Sequence, residues 1–328
     1  MKSSVISGMN TMRGAGLNLL SQDDLYEIHM ATMEVMRRTG VKVENDEAID
    51  IFDGGGCIVD RKRQLVKFPS HVVEDAIRSA PDTILLAGRS PKDDVVIGGK
   101  RIAFTNFGQA IMIIDPFTGE RRETTKKDIA NIVLVCDALS EVSVIEGKPL
   151  VPNDVTSELE SLHAAEAALT NTSKHCFGGP ITKELTKLFV EMSAIIAGSK
   201  EKAKERPIWT AFVCPSSPLG LSQSCSEVII EAASAGMPIN VLSMAMAGGT
   251  TTVTLAGTLI GHNAEVLAGI VLSQLVCKGA PVIYGSSTTI MDLKSATAPV
   301  GCPEFGLLSA AAAQLAQYYH LPSYVGGT

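Results

Sequence analysis

The sequence predicts an α/β protein built mainly from parallel strands, and three observations carry that expectation. After Arg101, short apolar runs alternate with longer amphipathic ones in a steady strand-then-helix rhythm, the pattern of successive βαβ units. Before that point the elements are shorter and the turns closer together, which suits a small α/β portion of its own. Four of the apolar runs lead into small residues: His175-Cys176-Phe177 meets Gly178-Gly179, Pro238 to Met244 leads to Gly248-Gly249, Pro281 to Tyr284 meets Gly285-Ser286-Ser287, and Leu321 to Val325 meets Gly326-Gly327-Thr328. Together these predict a (β/α)8, TIM-type barrel over residues 101–328, incomplete at its C-terminal end, behind an N-terminal α/β portion over residues 1–100. A doubly wound open sheet shares the rhythm, but no G-x-G-x-x-G follows a strand with an acidic partner downstream.

Taken in order, residues 1–16 are small and polar and predict little regular structure. Ser21 and Asp24 have capping-box spacing, and Leu25, Ile28, His29, Thr32, Val35 and Met36 recur at helical spacing until Gly40 ends the run. Short strands follow at Val41–Val43, Cys57–Asp60, Gln64–Phe68, Thr83–Ala87 and Val95–Ile97, with helices opened by Asn45-Asp46 and by Pro69. Gly54-Gly55-Gly56 lacks the strand-loop-helix context and the lysine of a phosphate loop. Seven barrel strands are predicted at Ile102–Asn106, Val142–Glu146, His175–Phe177, Ile208–Cys214, Ile239–Met244, Val282–Tyr284 and Ser323–Gly326. Helices are expected over Lys126–Leu139, Thr156–Thr170, Lys183–Ala197, Ser224–Ala235, Thr252–Cys277 and Pro303–Tyr319, with a hairpin excursion around Ile111–Thr124.

Composition narrows the function. A chain of 328 residues, 45% of them hydrophobic, can bury a large core. A net charge of -7 and the lack of a Lys/Arg run interleaved with aromatics give no footprint for nucleic acid. Seven cysteines without a C-x-x-C pair, and no secretory signal, predict reduced thiols and a cytoplasmic setting. The most membrane-like stretch, Thr252 to Cys277, is interrupted by His262, Asn263, Glu265 and Gln274, so a buried helix is expected and no membrane partner.

In a barrel the chemistry lies at the carboxyl ends of the strands. The loops expected there, Ser243 to Thr252, Gly285 to Thr289 and Gly326 to Thr328, are small, hydroxyl-rich and nearly uncharged. Glycine there either lets backbone approach a ligand or serves tight turns. His262 and Glu265 share a helix face, and a carboxylate among apolar neighbours must be paired or partly protonated, whether for chemistry or for local hydrogen bonding. No metal-ligand spacing and no G-x-S-x-G elbow is present.

Several runs resemble the trimethylamine:corrinoid methyltransferase family of methylotrophic methanogens. They are Cys214-Pro215-Ser216-Ser217-Pro218-Leu219, Asn240 to Met246, Leu255-Ala256-Gly257-Thr258-Leu259, Gly261 to Leu267, Tyr284 to Thr289 and Leu321 to Thr328, and the resemblance extends from the helix at Ser21 through the whole remainder. It implies a (β/α)8 barrel that moves a methyl group from trimethylamine to the cobalt of a cognate corrinoid protein, feeding methanogenesis from methylamines. The cofactor, cobalamin-type corrinoid, is then carried by the partner and none is bound directly. The resemblance further implies pyrrolysine immediately after Thr328, catalytic proton or charge management by Glu265 with His262, a pocket shaped by Tyr284, Ser286, Met244, Gly326, Gly327 and Thr328, and a homo-oligomer. Codon 329 is expected to be amber, with the frame continuing to supply a further strand and helices. The alternatives are a relative acting on a quaternary amine such as glycine betaine, and an inactive fragment.

Overall fold

A computed structural model describes residues 18–327. The expected irregularity of residues 1–16 and the pocket role of Thr328 lie outside the described residues. The fold comprises two compact units whose boundaries cut across the sequence division at residue 100: among the described residues one is Ile84–Phe212, and the other joins residues 18–83 with the chain from Val213 onward.

In the first unit, strands β1 (Phe104–Thr105), β2 (Val142–Glu146), β3 (His175–Gly178) and β4 (Trp209–Val213) lie side by side in parallel, each next to its predecessor. The register places Ile145, Cys176 and Trp209 abreast, and Glu146, Phe177 and Thr210 abreast on the other face. The first row is the helix-packed one, because the Trp209 ring meets Phe189 of helix Lys183–Ala197 edge-on at 5.0 Å. Glu146, His175, Phe177, Thr210 and Phe212 therefore occupy the face opposite the helices, as strand alternation requires. Trp209 also dictates two glycines: a Cβ at Gly147 or Gly178 would sit 2.6 or 2.7 Å from its ring. The hairpin excursion forms as Met112–Ile114 against Arg121–Glu123, and Thr125 with Asp128 closes a capping box on helix Lys126–Ala138.

In the second unit β5 (Ile239–Ser243), β6 (Val282–Ser286) and β7 (Ser323–Val325) are again parallel and in sequence order. The loops beyond β5 and β6 pair with each other, Met246 beside Thr289 and Ala247 beside Ile290. Helix Leu255–Val276 lies on these strands and is long and apolar enough to cross a membrane by length and composition. Fifteen of its residues are nevertheless buried, His262, Asn263, Glu265 and Gln274 among them, because a helix apolar on all sides must be covered on all sides. Val241 explains one feature of its surface: a Cβ at Gly269 would lie 2.7 Å from that side chain.

The N-terminal elements form as expected, with the Ser21/Asp24 capping box in place and Asn45 Oδ1 accepting the Ala48 N–H at 2.7 Å. Their sheet is not self-contained. Val41–Val43 pairs antiparallel with Leu65–Lys67, but its other edge is occupied in parallel by Gly220–Leu221, far along the chain. A two-residue strand carries too little periodicity to be read from sequence. Gly54 and Gly55 end helix Asp46–Gly54, and this is the wrong pole of a helix for an anion.

Candidate active site

Glu265 is the centre of the second unit's buried polar chemistry. It is 1% exposed, and its Oε2 accepts from Ser217 Oγ at 2.7 Å and Ser243 Oγ at 2.6 Å while Oε1 accepts the Leu219 N–H at 3.0 Å. Burial pushes its pKa up, opposed by those three donors. The carboxylate thus joins the carboxyl end of β5 to the 217–219 turn, where Leu219 holds φ at 53°. That contact lies on the helix side of the sheet.

His262, one turn earlier, is fully buried, and its Nδ1 lies 3.0 Å from Thr288 Oγ1 while Nε2 has no partner among the described residues. Burial lowers its pKa to about 3, so the ring is neutral over the ordinary pH range. Tyr284 stands edge-on to it at 5.4 Å and donates its hydroxyl to Asn263 Oδ1 at 2.9 Å. Asn263 in turn donates to Thr32 Oγ1 at 3.0 Å and Tyr319 Oη at 2.8 Å. The Tyr284 ring therefore belongs to a core network with a hydroxyl pKa pushed up by burial.

The remaining expected pocket residues divide by what surrounds them. Ser286, at the end of β6 beside Ser243, is fully buried and its Oγ accepts the Thr288 N–H at 3.3 Å. Met244 is half-exposed just past β5. Gly326 is demanded by packing, since a Cβ there would sit 2.1 Å from the Phe305 ring, whereas Gly327 faces open space. Ser243, Ser286, Glu265, His262 and Gly326 are thus brought together near the carboxyl ends of β5–β7, with Tyr284 set deeper behind them.

Sequence reasoning passed over Glu146, the last residue of β2. It lies on the face opposite the helices and is 3% exposed, and among the described residues its carboxylate accepts one hydrogen bond, from the Lys148 N–H at 3.2 Å. Burial pushes its pKa up to about 8, with only partial compensation from Lys148. Asn106, just past β1, holds the strand end by accepting the Glu146 N–H at 2.8 Å. The available signal was an acidic residue closing an apolar strand, at the end where barrels carry their chemistry. Among the described residues no three His, Cys, Asp or Glu side chains gather as a metal site. A cleft of about 730 Å³ lined by Ile77, Arg78, Ala80, Asp82, Tyr318, Tyr319 and His320 lies at the opposite, amino end of β7.

The sequence profile of the trimethylamine methyltransferase family matches residues 5–328. The chain belongs to that family. It is 51% identical over 327 residues to the trimethylamine methyltransferase of Desulfitobacterium hafniense, covering 100% of this chain and 66% of that one. To a glycine betaine methyltransferase of the same species it is 34% identical over 310 residues, covering 94% of this chain and 64% of that one. Among solved structures, the monomethylamine methyltransferase of Methanosarcina barkeri is similar with a TM-score of 0.57 at 13% identity, over 92% of this chain and 66% of that one. That likeness shows the fold, an incomplete TIM-type barrel with a small N-terminal α/β region. The chain spans about two thirds of the length of the curated family members it matches.

Proposed function

We propose that this chain belongs to an enzyme that moves a methyl group from trimethylamine to the cobalt of a cognate corrinoid protein, supplying methanogenesis from methylamines. The observation that carries this reading is the identity to a trimethylamine methyltransferase over the whole chain, 51%, against 34% to a glycine betaine methyltransferase. The corrinoid arrives on its carrier protein as the methyl acceptor.

What these residues contribute is position and a controlled proton inventory. Glu265 takes a positioning role in this reading: with both oxygens engaged by Ser217, Ser243 and Leu219, it fixes the end of β5 against a neighbouring turn. His262 fixes the loop after β6 through Thr288, and burial keeps its ring uncharged. Ser286, Met244 and Gly327 border the carboxyl ends of the second unit's strands. A homo-oligomer in the cytoplasm belongs to the same proposal, and light scattering and fractionation test it.

The deciding experiment uses the protein from its full reading frame with purified corrinoid protein reduced to Co(I). Methylcobalamin formation from trimethylamine and not from glycine betaine is expected. Product only from glycine betaine reassigns the substrate, and product from neither removes the enzymatic reading.

A further inference from the structure

One buried carboxyl group in the first unit accepts a single hydrogen bond among the described residues. Glu146 ends β2 on the face opposite the helices, and beside it on β3 stands Phe177, whose ring lies 5.3 Å from that of Phe212 on β4. Phe177 is buried and Phe212, nearer the strand end, is half-buried. The carboxyl's position is enforced: a Cβ on Gly108 would sit 2.9 Å from Glu146 Cγ and 2.8 Å from the Lys148 carbonyl oxygen, and Asn106 pins the backbone at Glu146. The charged groups around it do not neutralise it. Lys148 offers its amide N–H while its ammonium is turned onto Glu160, and the neighbouring Cys176 thiol, itself pushed up by burial and by Glu146, stays protonated. Among the described residues, Glu146 Oε2 accepts no hydrogen bond, and Phe177 stands beside it on the next strand.

Trimethylamine reaches an enzyme near neutral pH mainly as trimethylammonium, which has no lone pair to offer an electrophile. A site must take up that proton, and a carboxyl buried beside aromatic faces is suited to an alkylammonium ion on both counts. We propose that Glu146 accepts the proton of the incoming alkylammonium ion, with Phe177 and Phe212 receiving its methyl groups. The inference rests on the proposed function for its substrate class. In the step, the N–H bond breaks, its electron pair remains on nitrogen as the free lone pair, and the proton forms an O–H bond to the Glu146 carboxylate. Because the empty site holds Glu146 largely protonated at neutral pH, binding the cation first displaces that proton to solvent. Net release of up to about one proton per ion bound therefore accompanies binding at pH 7.

The test is calorimetry of trimethylammonium chloride binding to the full-reading-frame protein at pH 7, in two buffers of different ionisation enthalpy, alongside the methyl-transfer assay. Expected are proton release in the wild type, its loss in Glu146→Gln, and about a 100-fold fall in kcat/KM for trimethylamine in that variant. Glu146→Asp keeps a carboxyl and is expected to retain proton release with weaker binding; it serves if the glutamine variant does not fold. Unchanged proton release in the glutamine variant, release absent in both the wild type and the aspartate variant, or no binding at all overturns the assignment. A wild type that releases protons through Glu146 yet transfers no methyl group upholds the site and removes the functional reading instead.

Discussion

Glu146 and Glu265 are both buried, both near the carboxyl end of a parallel strand, and both pushed above the usual carboxylate range by burial. They differ in what burial has been answered with. Glu265, between sheet and helix, accepts from two hydroxyls and one amide, whereas Glu146, on the opposite face, accepts one amide bond. Satisfying a buried carboxylate with three donors makes it a structural joint, while leaving it short of donors keeps a free-energy gradient for a cation to discharge. On that contrast the proposal gives proton chemistry to Glu146 and a positioning role to Glu265, although the sequence marks only Glu265 by its unusual surroundings.

The largest expected effect comes from removing the joint. Glu265→Ala leaves two hydroxyls and the Leu219 N–H without their acceptor, and a loss of about 3 kcal/mol or more is expected in urea unfolding. Glu265→Gln should lose less, because the Ser217 and Ser243 hydroxyls can rotate to accept from the new amide. A Glu265→Ala variant as stable as wild type would erase the distinction between the two carboxylates.

Asn263→Ala is expected to cost about 2–3 kcal/mol, since it strips partners from Thr32, Tyr284 and Tyr319 and opens a small cavity. Comparing it with Tyr284→Phe, which removes a single hydroxyl and should cost about 1 kcal/mol, tests whether Tyr284 serves this network; a larger effect on methyl transfer than on stability would instead place it at the substrate.

The pH dependence of stability sharpens the comparison further. His175 and His262 are held at about 4 and about 3 by burial, below the unfolded value, so the unfolded chain binds more protons below about pH 6.5 and stability should fall as pH drops from there. Glu146 behaves oppositely: its pKa of about 8 lies above the unfolded value, so the folded chain holds the extra proton and stability should decline as pH rises from about 4.5 toward 8. A stability maximum between these arms is expected from denaturation midpoints measured across pH. In Glu146→Gln the alkaline decline should shrink, leaving the part owed to Glu265.

The smallest effect is expected for Glu146→Gln at pH 6, where the wild-type carboxyl is already neutral. A change below about 1 kcal/mol should appear, against the much larger cost at Glu265.

The sequence by itself determined the order and kind of most elements, because alternation, capping boxes and helix-ending glycines act over one or two turns and are written locally. Strand Val142–Glu146 and helix Lys183–Ala197 have the bounds that their pattern predicts, and the runs from Asn240 to Thr289 are enough to indicate the family. Gly220–Leu221 completing a sheet with Val41–Val43 was beyond such reading, because that partnership spans most of the chain. Gly326 reads as a loop residue lining a ligand pocket until the ring of Phe305 is seen above it. Tertiary structure alone decided how each carboxylate is held: whether a buried acid meets three donors or one depends on which side of the sheet it faces and on residues brought from distant turns, and no local spacing encodes that count.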